Sequence, residues 1–131
     1  DITADTIVME EIMGKILTEN LNEEAVYRSG QVIGKLHTAG IVHGDLTTSN
    51  IILREKDGIC VLIDFGLAQV SSEIEQRGVD VHVLFQTFES TAPERADTLK
   101  TAFVAGYTET FVEADKIIAR EHEIELRGRY L

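Results

Sequence analysis

Tryptophan is absent from this chain of 131 residues, proline and cysteine occur once each, and acidic residues outnumber basic ones, 23 to 12. Each scarcity excludes something. One Pro and 10 Gly rule out a Pro-rich or Gly/Ser-rich disordered chain. No stretch approaches the roughly 18 apolar residues a membrane span needs. No basic segment runs into an apolar one at the N-terminus. Neither a transmembrane helix, a signal peptide nor a membrane partner is therefore expected. The lone Cys60 lies in the apolar run 59–63. It reads as a small buried hydrophobe rather than a nucleophile, and it suits a reducing compartment. The formal charge of −11 repels a phosphate backbone as a long-range field. A basic partner protein or a metal–nucleotide complex fits this charge better than nucleic acid does.

What is present suffices for one domain with a real core, over residues 1–131, and not for two. Ile7-Val8-Met9 is a short apolar run stopped by Glu10-Glu11, and reads as a strand. Asn20, with Glu23 three residues on, predicts a helix start with a capping box. Ala25, Val26, Ser29, Val32, Ile33 and Leu36 then recur at helical spacing, and the helix should end between Thr38 and a left-handed Gly40. Residues 51–53 and 60–63 are two β-like runs joined by the turn Lys56-Asp57-Gly58, which predicts a hairpin. A nearly all-apolar helix over 79–89 should lie at the centre, with Val79, Val83, Leu84 or Phe85, and Phe88 as its apolar side. Pro93 breaks the chain. A helix over about 98–105 should end at Gly106, and a charged one over about 109–126 should turn Phe111, Ala114, Ile117, Ile118 and Leu126 inward. The pattern is mainly α with one small hairpin.

Chemistry concentrates in two segments, His43-Gly44-Asp45-Leu46-Thr47-Thr48-Ser49-Asn50 and Ile63-Asp64-Phe65-Gly66. Asp45, Asn50 and Asp64 are polar groups at the edges of apolar elements that a hairpin would bring together. Two carboxylates and a carboxamide are hard oxygen donors of the kind Mg²⁺ prefers, and Mg²⁺ borrows its remaining ligands from phosphates and water.

His-Gly-Asp-Leu-x-x-x-x-Asn followed by Asp-Phe-Gly resembles the protein-kinase catalytic loop and the metal-binding loop after it. The wider spelling includes Gly78-Val79-Asp80-Val81 and the ending Leu126-Arg127-Gly128-Arg129. It resembles the small atypical kinase family of the KEOPS complex, the p53-related protein kinases near the RIO kinases. The resemblance implies a mainly α, kinase-like C-terminal lobe, with a hinge at about 7–12, a catalytic loop at 43–50 and a metal-binding loop at 64–66. It implies that Asp45 orients or deprotonates the attacking group and that His43 braces the catalytic loop. Asn50 and Asp64 would hold Mg²⁺ on ATP, Met9, Glu10 and Ile12 would flank adenine, and Asp80 would hold the catalytic loop's backbone. The implied partners are the KEOPS metalloenzyme subunit and its other subunits, with tRNA met indirectly through the complex and p53 as a Ser/Thr substrate. The implied location is cytoplasm and nucleus.

Departures from ordinary kinases narrow the expectation. Gly44 replaces the Arg that pairs with a phosphorylated activation segment, so switching by that route is not expected. Only 16 residues separate Asp64 from Asp80, too few for the usual peptide-docking platform. Thr47 stands where a Lys near the transferred phosphate is usual. Ala92-Pro93-Glu94 spells an activation-segment ending but comes after the central helix, a coincidence. Nothing ahead of Ile7 offers a Gly-rich loop or a phosphate-pairing Lys, and Lys15 lies beyond the hinge. The N-terminal lobe is expected to be absent, and residues 1–131 alone to be nearly inert. His37 and His82 read as structural, and Glu121, His122 and Glu123 as a solvated helix face. Three functions compete. The first is an ATP-dependent phosphotransferase or ATPase supporting threonylcarbamoyladenosine formation in tRNA. The second is a non-catalytic docking module for the metalloenzyme subunit. The third is a small-molecule kinase of the aminoglycoside or choline type, which Phe65-Gly66 and the Thr-Thr-Ser-Asn spelling weaken.

Overall fold

A computed structural model describes residues 14–130, with the side chain of Tyr130 left aside. The expected strand at 7–9 and the hinge at 7–12 lie outside these residues. Strand β1 (Gly14–Ile16) leads into a 3₁₀ turn (Leu17–Asn20) and helix α1 (Glu23–Thr38). Then come β2 (Ile41–Val42), a 3₁₀ turn (Thr48–Asn50), β3 (Ile51–Arg54), β4 (Cys60–Leu62) and β5 (Gln69–Val70). Helices α2 (Ile74–Thr91), α3 (Ala96–Thr110) and α4 (Ala114–Tyr130) complete a mainly helical lobe.

The β3–β4 hairpin forms as its turn residues predict, with Ile51 opposite Leu62 and Leu53 opposite Cys60. β1 joins it antiparallel at β3, making a third strand that the sequence pattern had not indicated. β2 and β5 form a separate two-stranded pair, Ile41 opposite Val70 and Val42 opposite Gln69.

The cap of α1 is Asn22 rather than Asn20. Its side chain accepts from the Ala25 amide at 2.9 Å, whereas Asn20 ends the preceding 3₁₀ turn. Gly40 adopts φ +81° just past the helix, as expected. α2 begins five residues before the apolar run does, at Ile74, and Val79 faces outward, 42% exposed. Leu84, Phe85 and Phe88 are buried as expected, and Arg77, Asp80 and Val81 share their side of the helix.

Gly106 does not stop a helix. It lies inside α3, where a Cβ would collide with the Tyr27 carbonyl oxygen of α1; at Gly30 of α1 a Cβ would collide with the Phe103 carbonyl oxygen of α3. The two glycines let these helices touch backbone to backbone. Thr110 Oγ1 seals the contact by donating to the Gln31 carbonyl at 2.8 Å.

The core runs from Leu17, Val26 and Ile33 through Leu84, Phe88 and Leu99 to Phe103, Tyr107 and Ile117, all fully buried. Phe103 stacks on Tyr107 with 5.1 Å between centroids. Along α4, Ala114 and Ile117 face inward as predicted, but Leu126 is 40% exposed and Glu121 is buried.

Candidate functional site

The hairpin register builds the site. Asn50 closes the 3₁₀ turn immediately before β3, and its carbonyl accepts from the Ile63 amide at 2.9 Å, one residue before Asp64. The Asp45 side of the loop is tied to the same point. Asn50 Nδ2 donates to the Asp45 carbonyl at 2.8 Å and to Asp45 Oδ2 at 3.3 Å. With its amide end committed to Asp45, the Asn50 side chain keeps its oxygen for another partner. Asn50 is 9% exposed and Asp45 half-buried, whereas Asp64 is exposed. Among the described residues Asp64 alone, apart from glycines, has a positive φ, 61°. Asp tolerates that left-handed backbone better than most residues, and such conformations cluster at functional sites.

His43 is fully buried between the two loops. Its Nε2 lies 2.7 Å from the Ile63 carbonyl, to which it donates, and its Nδ1 accepts from the Asp45 amide at 3.1 Å. The ring packs against Phe65 at 4.8 Å. One imidazole thus ties the residue before Asp64 to the amide of Asp45.

Asp80 grips the loop from below. Oδ2 accepts from the His43 amide at 2.8 Å and Oδ1 from the Gly44 amide at 3.0 Å, the role the motif predicts. The sequence did not reveal the support behind it. His37 Nε2 lies 2.9 Å from the same Oδ2 and must donate to it, because a carboxylate only accepts. His37 Nδ1 lies 2.6 Å from the Tyr107 hydroxyl. Burial pushes the Tyr107 phenol far above its ordinary range, so it keeps its proton within this hydrogen bond. Arg77, also buried, donates from Nη2 to the His37 carbonyl at 2.8 Å and lies over the Phe111 ring at 5.0 Å. Nothing in the residue pattern near Arg77 or Tyr107 marks these partners, which come from helices 40 and 70 residues away in sequence.

Gly44 has φ +89°, and a Cβ there would strike the Leu67 carbonyl oxygen. The glycine in place of a kinase arginine therefore has a backbone reason. The segment after Asp64 passes directly against it, pairs as β5 with β2, and reaches α2 within a few residues. Met9, Glu10 and Ile12, the expected adenine flank, lie outside the described residues.

A loop carrying Asp and Asn, a second loop carrying Asp-Phe-Gly, and a central helix whose Asp holds the first loop together define a protein-kinase lobe. The chain belongs to the protein kinase family: the protein kinase domain model matches residues 4–105. Its close homologues are more particular. It is 62% identical over its whole length to a probable bifunctional tRNA threonylcarbamoyladenosine biosynthesis protein of Methanoculleus marisnigri. It is 58% identical to the protein of the same description in Methanocorpusculum labreanum, and 39% identical to a probable serine/threonine-protein kinase BUD32 homolog of Archaeoglobus fulgidus. The chain spans 24% of the length of each of the first two relatives and 65% of the third.

Proposed function

We propose that this chain is the catalytic lobe of a Mg-ATP-dependent phosphotransferase or ATPase of the KEOPS type, supporting threonylcarbamoyladenosine formation in tRNA. The observation that carries the reading is the double tie of Asn50, by side chain to Asp45 and by backbone to the residue before Asp64. The relatives, described as tRNA threonylcarbamoyladenosine biosynthesis proteins and a BUD32 homolog, favour the tRNA-modifying setting over other kinase chemistry.

The donor set fits Mg²⁺. The Asn50 oxygen and the Asp64 carboxylate are hard ligands, one held rigidly by Asp45 and the other exposed on a left-handed backbone. When bound, the ion neutralises charge on the outer phosphates. Asp45 orients the attacking hydroxyl or water and receives its proton, while Asn50, through Asp45, holds that carboxylate in place. His43 and Asp80 fix the backbone from which Asp45 projects.

The short segment between Asp64 and α2 has β5 and no helical platform for a peptide. It favours hydrolysis, or transfer to few acceptors, over broad protein phosphorylation. Ser/Thr transfer, to p53 among others, is the narrower possibility that the family resemblance supplies. The KEOPS metalloenzyme subunit is the proposed partner, through which tRNA is met indirectly.

The test is calorimetry of Mg-ATP binding and turnover in the full-length protein. Asp64→Ala and Asn50→Ala are expected to lose Mg-dependent nucleotide binding. Asp45→Asn should keep binding and lose turnover by about 10²–10⁴-fold. Unchanged tRNA modification with all three variants would make the lobe a docking module, the second reading, which the charge of −11 favours. Residues 1–131 alone are expected to bind Mg-ATP far more weakly than the full-length protein.

A further inference from the structure

Helix α2 carries Asp80 on the side that faces the catalytic loop. Two residues on, and so roughly on the opposite side of the helix, His82 faces α4. There it meets two glutamates one turn apart, Glu121 and Glu125. His82 Nδ1 lies 3.1 Å from Glu121 Oε2 and 3.8 Å from Glu125 Oε2, and one donor atom from each residue falls within 4.8 Å of the others. We propose that these three side chains form a divalent-cation site, distinct from the Asn50/Asp64 site, that takes a borderline first-row ion, zinc foremost.

Three observations carry this. The first is donor chemistry: one imidazole nitrogen and two carboxylate oxygens make a mixed N/O set that suits zinc and is poor for Mg²⁺, which prefers oxygen alone. The second is spacing. Zinc bonds of 2.0–2.2 Å at tetrahedral angles place ligand atoms about 3.4 Å apart, and the two separations from Nδ1 fall either side of that value. Small side-chain rotations suffice, because the donors already converge.

The third is burial and charge. Glu121 is only 7% exposed, and its Oε2 is hydrogen-bonded to His82 Nδ1. Glu125 gives its other oxygen to Arg129 Nε at 3.1 Å and turns Oε2 toward the imidazole. Arg129 offsets the charge of Glu125, and Glu121 brings a second carboxylate, itself buried, to the same imidazole in a half-enclosed place. With three protein ligands the fourth position stays open to water, and the ion would staple α4 to the helix that carries Asp80.

The experiment is zinc titration of the full-length protein in excess Mg²⁺, with Co²⁺ as a visible-band reporter. The expected result is one saturable equivalent that Asp64→Ala leaves unchanged. His82→Ala should remove it. Glu125→Gln should weaken it by more than the roughly 10–100-fold that losing an outer-shell partner costs. Glu123→Gln, an exposed neighbour paired with Arg120, should have no effect and so controls for loose binding by a strongly acidic chain. If His82→Ala fails to fold, broadening of the His82 ring resonances by Co²⁺ in the unsubstituted protein decides the matter. Absence of saturable zinc binding, or binding that His82→Ala and Glu125→Gln leave intact, would overturn the proposal and leave an imidazole–carboxylate ion pair.

Discussion

Asp80 is where the most structure hangs on one side chain. Its two oxygens serve three donors, the amides of His43 and Gly44 and the ring of His37, in a place where only 3% of the residue is exposed. Removing the carboxylate would strand all three donors away from water, and a buried unpaired polar group costs about 1–3 kcal/mol. Asp80→Ala is therefore expected to lower the free energy of unfolding by about 3–5 kcal/mol, in line with breaking a buried charged pair, as read from urea denaturation. Asp80→Asn keeps one acceptor oxygen and should lose less. Equal losses for the two variants would show that the one acceptor oxygen Asn keeps contributes nothing once the charge and the second oxygen are gone.

At the scale of elements, the contact of α1 with α3 is governed by the absence of side chains. Gly30 and Gly106 face the opposing helix backbone, Gly34 faces Thr110, and the aromatic ladder Phe103–Tyr107–Phe111 fills the space beside them. An alanine in a helix interior ordinarily gains about 1 kcal/mol over glycine. At 106 the added methyl meets the Tyr27 backbone, which has no rotamer to yield, and overpacking of this kind costs about 1–3 kcal/mol or more. The collision wins, so Gly106→Ala is expected to lower the melting temperature despite its better helix propensity. A raised melting temperature would mean that the helices can separate at little cost. The same crossing positions Tyr107 under His37, so this contact is coupled to the Asp80 network.

Across the whole molecule, the hairpin that carries the site sits on α1, and Cys60 lies at that junction. Its Sγ is 3.6 Å from Ser29 Oγ and 3.7 Å from the Ala25 carbonyl, and burial raises the thiol's pKa. Alkylation of Cys60 is thus expected to be negligible in the native state and to appear only with unfolding, so its rate under increasing urea should follow global stability. Rapid labelling without denaturant would show that the hairpin opens separately from the helices. The position also bears out the sequence expectation of a buried cysteine.

Local chemistry was legible in the sequence wherever a few adjacent residues decide the outcome. Lys56-Asp57-Gly58 determined the hairpin, and Gly40 determined the end of α1. The same logic misplaced the cap by two residues, because Asn20 and Asn22 are equivalent as types and only the path of the preceding 3₁₀ turn chooses between them. It also took Gly106 for a helix end, since a glycine that breaks a helix and one that admits another helix are identical in sequence. Glu121 read as solvated because the charged run around it conceals which side α2 covers. Only the tertiary structure decided that His37 and Tyr107 stand behind Asp80, that β5 returns to β2 across Gly44, and that His82 meets Glu121 and Glu125. In each case the partners come from segments 27 to 70 residues apart, and packing of the helices, rather than any local preference, selects them.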